Sequence, residues 1–135
     1  MPVSYDEISK VALDLLNATP CAEAGLRSSI SRAYYGLYHV SLEYADSIHV
    51  PPLSDARGPV HATLGAYYQG HMHHDKQARM NMKQIGWSLK SLHELRCKAD
   101  YHLNETITHT DADAMYQRCA TKIALVQQLM AAKVA

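Results

Sequence analysis

Apolar positions recur at intervals of three and four along most of this chain, with polar positions between them. That pattern predicts helices, and no stretch alternates with period two for long enough to make a strand. Ile8, Val11, Ala12 and Leu15 form the first stripe, behind Ser4-Tyr5-Asp6-Glu7, a capping box with Ser at the N-cap and Glu three residues on. A helix from Tyr5 to Ala18 is expected, ended by Pro20. The next runs from Ala22 to Ile48 on Leu26, Ile30, Ala33, Leu37, Val40 and Tyr44. Its opposite face, Ser28, Arg32, Tyr35, His39 and Glu43, is polar or amphipathic. Gly36 sits mid-helix at a cost of about 1 kcal/mol relative to Ala, which suggests a close helix contact there.

Val50-Pro51-Pro52-Leu53 through Gly58-Pro59 reads as a loop. A short helix over Val60 to Tyr68 stops at Gly70, and His71-Met72-His73-His74 forms a polar connector. A long helix follows from Lys76 to Leu103, with Met80, Ile85, Leu89, Leu92 and Leu95 available for burial. After a break at Asn104 to Thr110, Thr110 with Asp111 and Asp113 marks a helix start. Met115, Cys119, Ile123, Val126, Leu129 and Met130 supply the last stripe. Short connections make an antiparallel all-α bundle of four to five helices, two of them long and central, in one domain over residues 1–135.

Composition narrows the function classes. With 13 basic and 13 acidic residues the formal charge is zero, so any nucleic-acid contact has to come from a local patch. Nine Tyr, one Trp and no Phe mean that buried aromatic surface brings hydroxyls needing partners. Cys21, Cys97 and Cys119 are odd in number and lack C-x-x-C spacing, which reads as reduced thiols and not as a zinc site. No apolar run approaches the ~20 residues that cross a bilayer, and the N-terminus shows no signal pattern. A soluble, cytoplasmic protein without membrane contact is expected.

Two Arg…His pairs concentrate the polar chemistry. Arg32 and His39 are seven residues apart and project within about 20° of each other, with Tyr35 between them. The plain alternative is that Arg32 pairs with a carboxylate and His39 merely packs. Arg96 and His102 are six apart, about 120° around an ideal helix, and share a face only if the helix ends or distorts between them. Arg96 and Asp100 stand at i,i+4 and suit an ion pair. His71, His73 and His74 lack ligand spacing and read as solvated loop residues, with no metal expected. Cys97, beside Arg96, has nothing around it that marks an oxyanion hole.

The blocks Ser31-Arg32-Ala33-Tyr34-Tyr35-Gly36-Leu37-Tyr38-His39, Pro59-Val60-His61, Leu92-His93-Glu94-Leu95-Arg96 and Ala99-Asp100-Tyr101 resemble the HEPN superfamily of small helical domains, in its single-domain prokaryotic branch. The resemblance extends over about residues 5 to 130. It implies a metal-independent endoribonuclease without cofactor, acting as a homodimeric toxin or defence effector that leaves a 2′,3′-cyclic phosphate. The family spacing of an arginine, four to six residues and a histidine falls on Arg96 and His102 as catalytic residues; Arg32 and His39 satisfy the bare spacing too, but stand on the family's Tyr-Tyr helix and not at its usual catalytic position. Arg32, Tyr35, His39, Asp100 and Tyr101 would support or line the cleft. The resemblance also implies a possible antitoxin partner such as a nucleotidyltransferase, although the tyrosine that one branch modifies is Asn104 here. Two other readings stay open: a non-catalytic module that binds a nucleotide, RNA or protein through Arg32, Tyr35 and His39, and a structural bundle within a larger complex.

Overall fold

Each amphipathic stripe folds as a helix in the computed structural model, which describes residues 3–18 and 22–134. The helices are α1 (Tyr5–Asn17), α2 (Glu23–Ile48), α3 (Val60–Gly70), α4 (Lys76–Tyr101) and α5 (His109–Val134). A 3₁₀ turn, Leu53–Asp55, buries Leu53 within the long loop. Among the described residues there is no strand, and no helix is long and apolar enough to cross a membrane. Pro20 and Cys21 fall outside the described residues.

The second helix is the hub, packing on α1, α3, α4 and α5, with α3 and α5 also against α4. Gly36 opposes Ser9 while Ser29 meets Ala12, and Gly65 opposes Gly86 while His61 meets His93, so α1/α2 and α3/α4 run antiparallel. Contacts of Tyr34 with His61 and of Tyr68 with Ser41 show that the 49–59 crossover returns α3 parallel to α2. Helix α4 is antiparallel to α2, because Ser31 meets Asp100 while Tyr34 meets His93.

Close approach explains the glycines at the two antiparallel contacts. A Cβ on Gly36 would lie 3.2 Å from Ser9 Cβ, and one on Gly86 only 2.8 Å from the Gly65 carbonyl oxygen. The α2 stripe is buried at every expected position. The α4 stripe differs. Its core face is Met82, Ile85, Leu89, Leu92, Arg96 and Ala99, a three-four repeat that leaves Met80 and Leu95 exposed. Leu95 precedes Arg96 and is rotated about 100° from it, off the face that α2 and α3 cover. In α1, Val11 is likewise exposed and Leu16 buried instead.

Both boundaries of the last connection shift. Helix α4 stops at Tyr101, two residues early, with His102 as its C-cap. Helix α5 starts at His109 and not at Thr110, because Thr108 makes a reciprocal cap: its Oγ1 accepts from Asp111 N–H at 3.1 Å and its own N–H donates to Asp111 Oδ2 at 2.9 Å.

Candidate functional site

Helix α4 commits a charged residue to its core stripe. Arg96 is 6% exposed, where three-four periodicity calls for an apolar side chain. Its charge is met by Asp100 Oδ2 at 3.2 Å, one turn on, and the same oxygen accepts from Ser31 Oγ of α2 at 3.2 Å. The guanidinium also lies over the rings of Tyr34, Tyr35 and Tyr101, at 5.8, 5.4 and 5.9 Å. Burial opposes the charge, but Asp100, Tyr35 and Cys97 more than offset it and raise the Arg96 pKa. Its Nε is buried without a hydrogen-bond partner.

Around that cation the quoted sequence blocks meet. Tyr34 is fully buried and its hydroxyl lies 2.7 Å from Nδ1 of His61, the second residue of α3. His61 stacks on His93 of α4 with ring centroids 4.5 Å apart. Arg96 can only donate, so His93 Nδ1 accepts from its Nη2 at 3.4 Å. The ring proton of neutral His93 then sits on Nε2, which lies 3.6 Å from Cys97 Sγ.

Both imidazoles are held neutral. Burial first, then His93, Arg96 and His39, push the His61 pKa down to about 4. Burial and Arg96 lower that of His93. Burial, above all else, raises that of Tyr34, leaving its phenol the natural donor to His61. The two rings face a groove between α3 and α4 of about 510 Å³, floored by Gly65, Gly86 and Leu89 and edged by Gln69, Lys90 and Glu94. A pair of neutral imidazoles beside a fixed cation can accept protons or hydrogen bonds from a ligand in that groove.

The other sequence-derived residues fall into two groups. Arg32, Tyr35 and His39 form one continuous stripe, with the Arg32 guanidinium 5.1 Å from the Tyr35 ring and the rings of Tyr35 and His39 6.1 Å apart. No carboxylate among the described residues pairs with Arg32; an aromatic face takes that place. Burial and then Arg32 lower the His39 pKa. His39 lines a separate depression with Tyr5, Ile8 and Leu42.

His102 belongs to neither group. Its side chain is 61% exposed and Nδ1 lies 3.1 Å from Glu105 Oε2. It is not a hydrogen-bond or ring partner of Arg96 within one chain. The backbone of His102 is nevertheless firmly held. Arg27 of α2 donates to the carbonyls of Ala99 at 2.9 Å, His102 at 3.2 Å and Lys98 at 3.4 Å, and also to that of Glu105. Glu23, 3.7 Å from Arg27, accepts from the Ile107 N–H. The clamp gives a partner to the Ala99 carbonyl at the helix end and a second donor to those of Lys98 and His102, which already accept from the N–H groups of His102 and Glu105.

Cys97 and Cys119 are free thiols, and among the described residues no group of His, Cys, Asp and Glu has the geometry to hold a metal ion. Sequence reasoning assigned no role to His61 or His93, although both stand inside the quoted blocks. Only the packing of α3 on α4 brings them together. Comparisons with family models, with curated proteins and with solved structures give no match for this chain.

Proposed function

We propose that this chain is a metal-independent endoribonuclease of the HEPN type that works as a homodimer, with Arg96 and His102 as its catalytic residues. Supporting this reading is the end of α4. His102 is the first residue beyond the helix, exposed, with its backbone held by the Arg27 clamp, about one and two-thirds turns past the buried cation. RNA cleavage by the 2′-hydroxyl needs a base for that proton, an acid for the leaving 5′-oxygen, and positive charge on the phosphate. An imidazole suits either proton transfer and a guanidinium suits the phosphate. One His102 serves one proton transfer at a time, and a second copy supplies the other. Exposed Leu95, Tyr101 and Leu103 beside His102 provide apolar surface for that copy.

The test is cleavage of RNA in EDTA by wild type, His102→Ala and Arg96→Ala, with end-group analysis of the products. Loss of His102 should lower the rate by about 10²–10⁴-fold, the usual weight of one general acid or base. Equal cleavage by all three proteins sinks the assignment. A nucleotidyltransferase antitoxin should co-purify with the chain.

One observation favours a second reading. Arg96 is already neutralised by Asp100 and covered by three tyrosine rings, which leaves little of it for a phosphate. In that case the chain is a binding module without cleavage, and the Arg32–Tyr35–His39 stripe carries the ligand. No cleavage by any variant, with binding lost in Arg32→Ala, would select it.

A further inference from the structure

Charge on this neutral chain is unevenly distributed. From Lys76 to His93, α4 carries Lys76, Arg79, Lys83 and Lys90 and no carboxylate. From Ala114 to Val134, α5 carries Arg118, Lys122 and Lys133 and again none. The sole tryptophan, Trp87, lies where these acid-free stretches meet and is 61% exposed. Lys83, Trp87 and Lys90 stand at i, i+4 and i+7, a single stripe about 10 Å long. Arg118 and Lys122 approach the same ring from α5.

Two shallow depressions meet at Trp87 and Ser88. One, of about 250 Å³, is walled by Arg118 and Lys122; the other, of about 420 Å³, by Lys83 and Lys122. Among the described residues, none of Lys83, Lys90, Arg118 and Lys122 takes part in an ion pair. Arg118 donates from Nη2 to Ser91 Oγ at 3.4 Å, a neutral partner that leaves its charge uncompensated, and the remaining lining of the depressions is polar.

We propose that this α4/α5 face binds single-stranded nucleic acid, with an unpaired base stacked on Trp87 and the flanking phosphates on Lys83, Arg118 and Lys122. A free indole face offers sequence-tolerant stacking, and cations on either side of it track a backbone. Stacking requires an unpaired base, and a few cations over about 10 Å suit a single strand better than a duplex. Lys83, Trp87, Arg118 and Lys122 lie outside the Arg96 cluster and its groove, with Lys90 bordering both, so the inference holds whether or not the chain cleaves RNA.

Trp87 is also the natural reporter, because all tryptophan emission comes from it. The His102→Ala protein, which keeps the face and removes the proposed nuclease chemistry, is titrated with a 12-nucleotide oligouridylate in low salt. Quenching of Trp87 emission is expected, with log K falling against log salt at a slope of about −2 for three phosphate contacts. In a filter-binding assay Trp87→Ala should bind about tenfold or more weakly, and Trp87→Phe should keep most of the affinity. The double substitution Lys83→Gln/Lys122→Gln should weaken binding and flatten the slope to about −0.7, the value for the one phosphate contact that remains. Four results each overturn the proposal: no quenching at millimolar oligonucleotide; undiminished binding by Trp87→Ala; equal affinity for inorganic polyphosphate or for duplex; or a shift of Trp87 emission with phosphatidylserine vesicles and none with oligonucleotide. Failure of RNA cleavage in wild type would leave these binding results standing.

Discussion

Lowering the pH from 7 to 5 should destabilise this protein through His61 in particular. The folded chain keeps that ring neutral, with a pKa near 4 against 6.5 for a free histidine, because burial, His93, Arg96 and His39 all oppose a proton. The unfolded chain takes up the proton near 6.5. Stability is therefore intact above that value, declines as pH falls below it, and stops declining once the folded form protonates near 4. At pH 5 the difference in proton binding amounts to about 2 kcal/mol for a shift of this size, nearly all of it developed below pH 7. His61 is only partly buried, and solvent screening reduces that to about 1 kcal/mol. For a chain of this length such a loss lowers Tm by about 3–5 °C. His61→Gln removes the titration while its amide oxygen can still accept from Tyr34. Thermal melts at both pH values should show that Tm falls less in the variant than in wild type by about this amount. Carboxylates and the other histidines act in both proteins and cancel. Parallel pH profiles for the two proteins, or an NMR titration that places His61 near 6.5, would refute the reasoning.

Three further outcomes follow from the packing. Gly86→Ala forces a methyl against the Gly65 carbonyl and the Gln69 backbone and should cost about 1–3 kcal/mol in urea melts, whereas Gly70→Ala, with open space around it, should cost nothing. Asp100→Ala strands the buried Arg96 charge and should cost about 3 kcal/mol, while the pair Arg96→Met/Asp100→Ala should recover most of that loss; additive costs in the double-mutant cycle would contradict the pairing. Thr108→Ala removes the Oγ1 that accepts from the Asp111 N–H and should cost about 1 kcal/mol in urea melts, whereas Thr108→Ser, which keeps that oxygen, should cost little.

Helix positions were largely legible in the sequence because their signals are local. Ser4 caps α1 by accepting from the Glu7 N–H, and each α2 stripe residue lies where three-four spacing puts it. The i,i+4 pairing of Arg96 with Asp100 was legible for the same reason. Periodicity failed where a polar residue holds an apolar position. Arg96 counts as surface in any hydropathy pattern, so apolar spacing alone draws the α4 core face through Met80 and Leu95, which are exposed. The stacking of His61 on His93 depends on α3 crossing α4 at Gly65 and Gly86, which no spacing within one helix encodes. The partners of Arg27 were equally hidden, since they are backbone carbonyls some 70 residues distant and carry no sequence identity.

That Arg27 clamp also has a kinetic meaning. It joins residues 71 to 78 apart in the chain, and the companion bond from Ile107 to Glu23 spans 84. Contacts of such separation require large loops to close first, whereas the α1/α2 and α3/α4 pairs are each joined by short links and form more readily. The clamp should therefore close late, after the folding transition state, and act as a latch on the finished bundle. Replacing Arg27 with Met should leave the folding arm of a chevron nearly unchanged and raise the unfolding arm. The residence time of the folded bundle, more than its speed of assembly, would then depend on one arginine gripping the end of a helix.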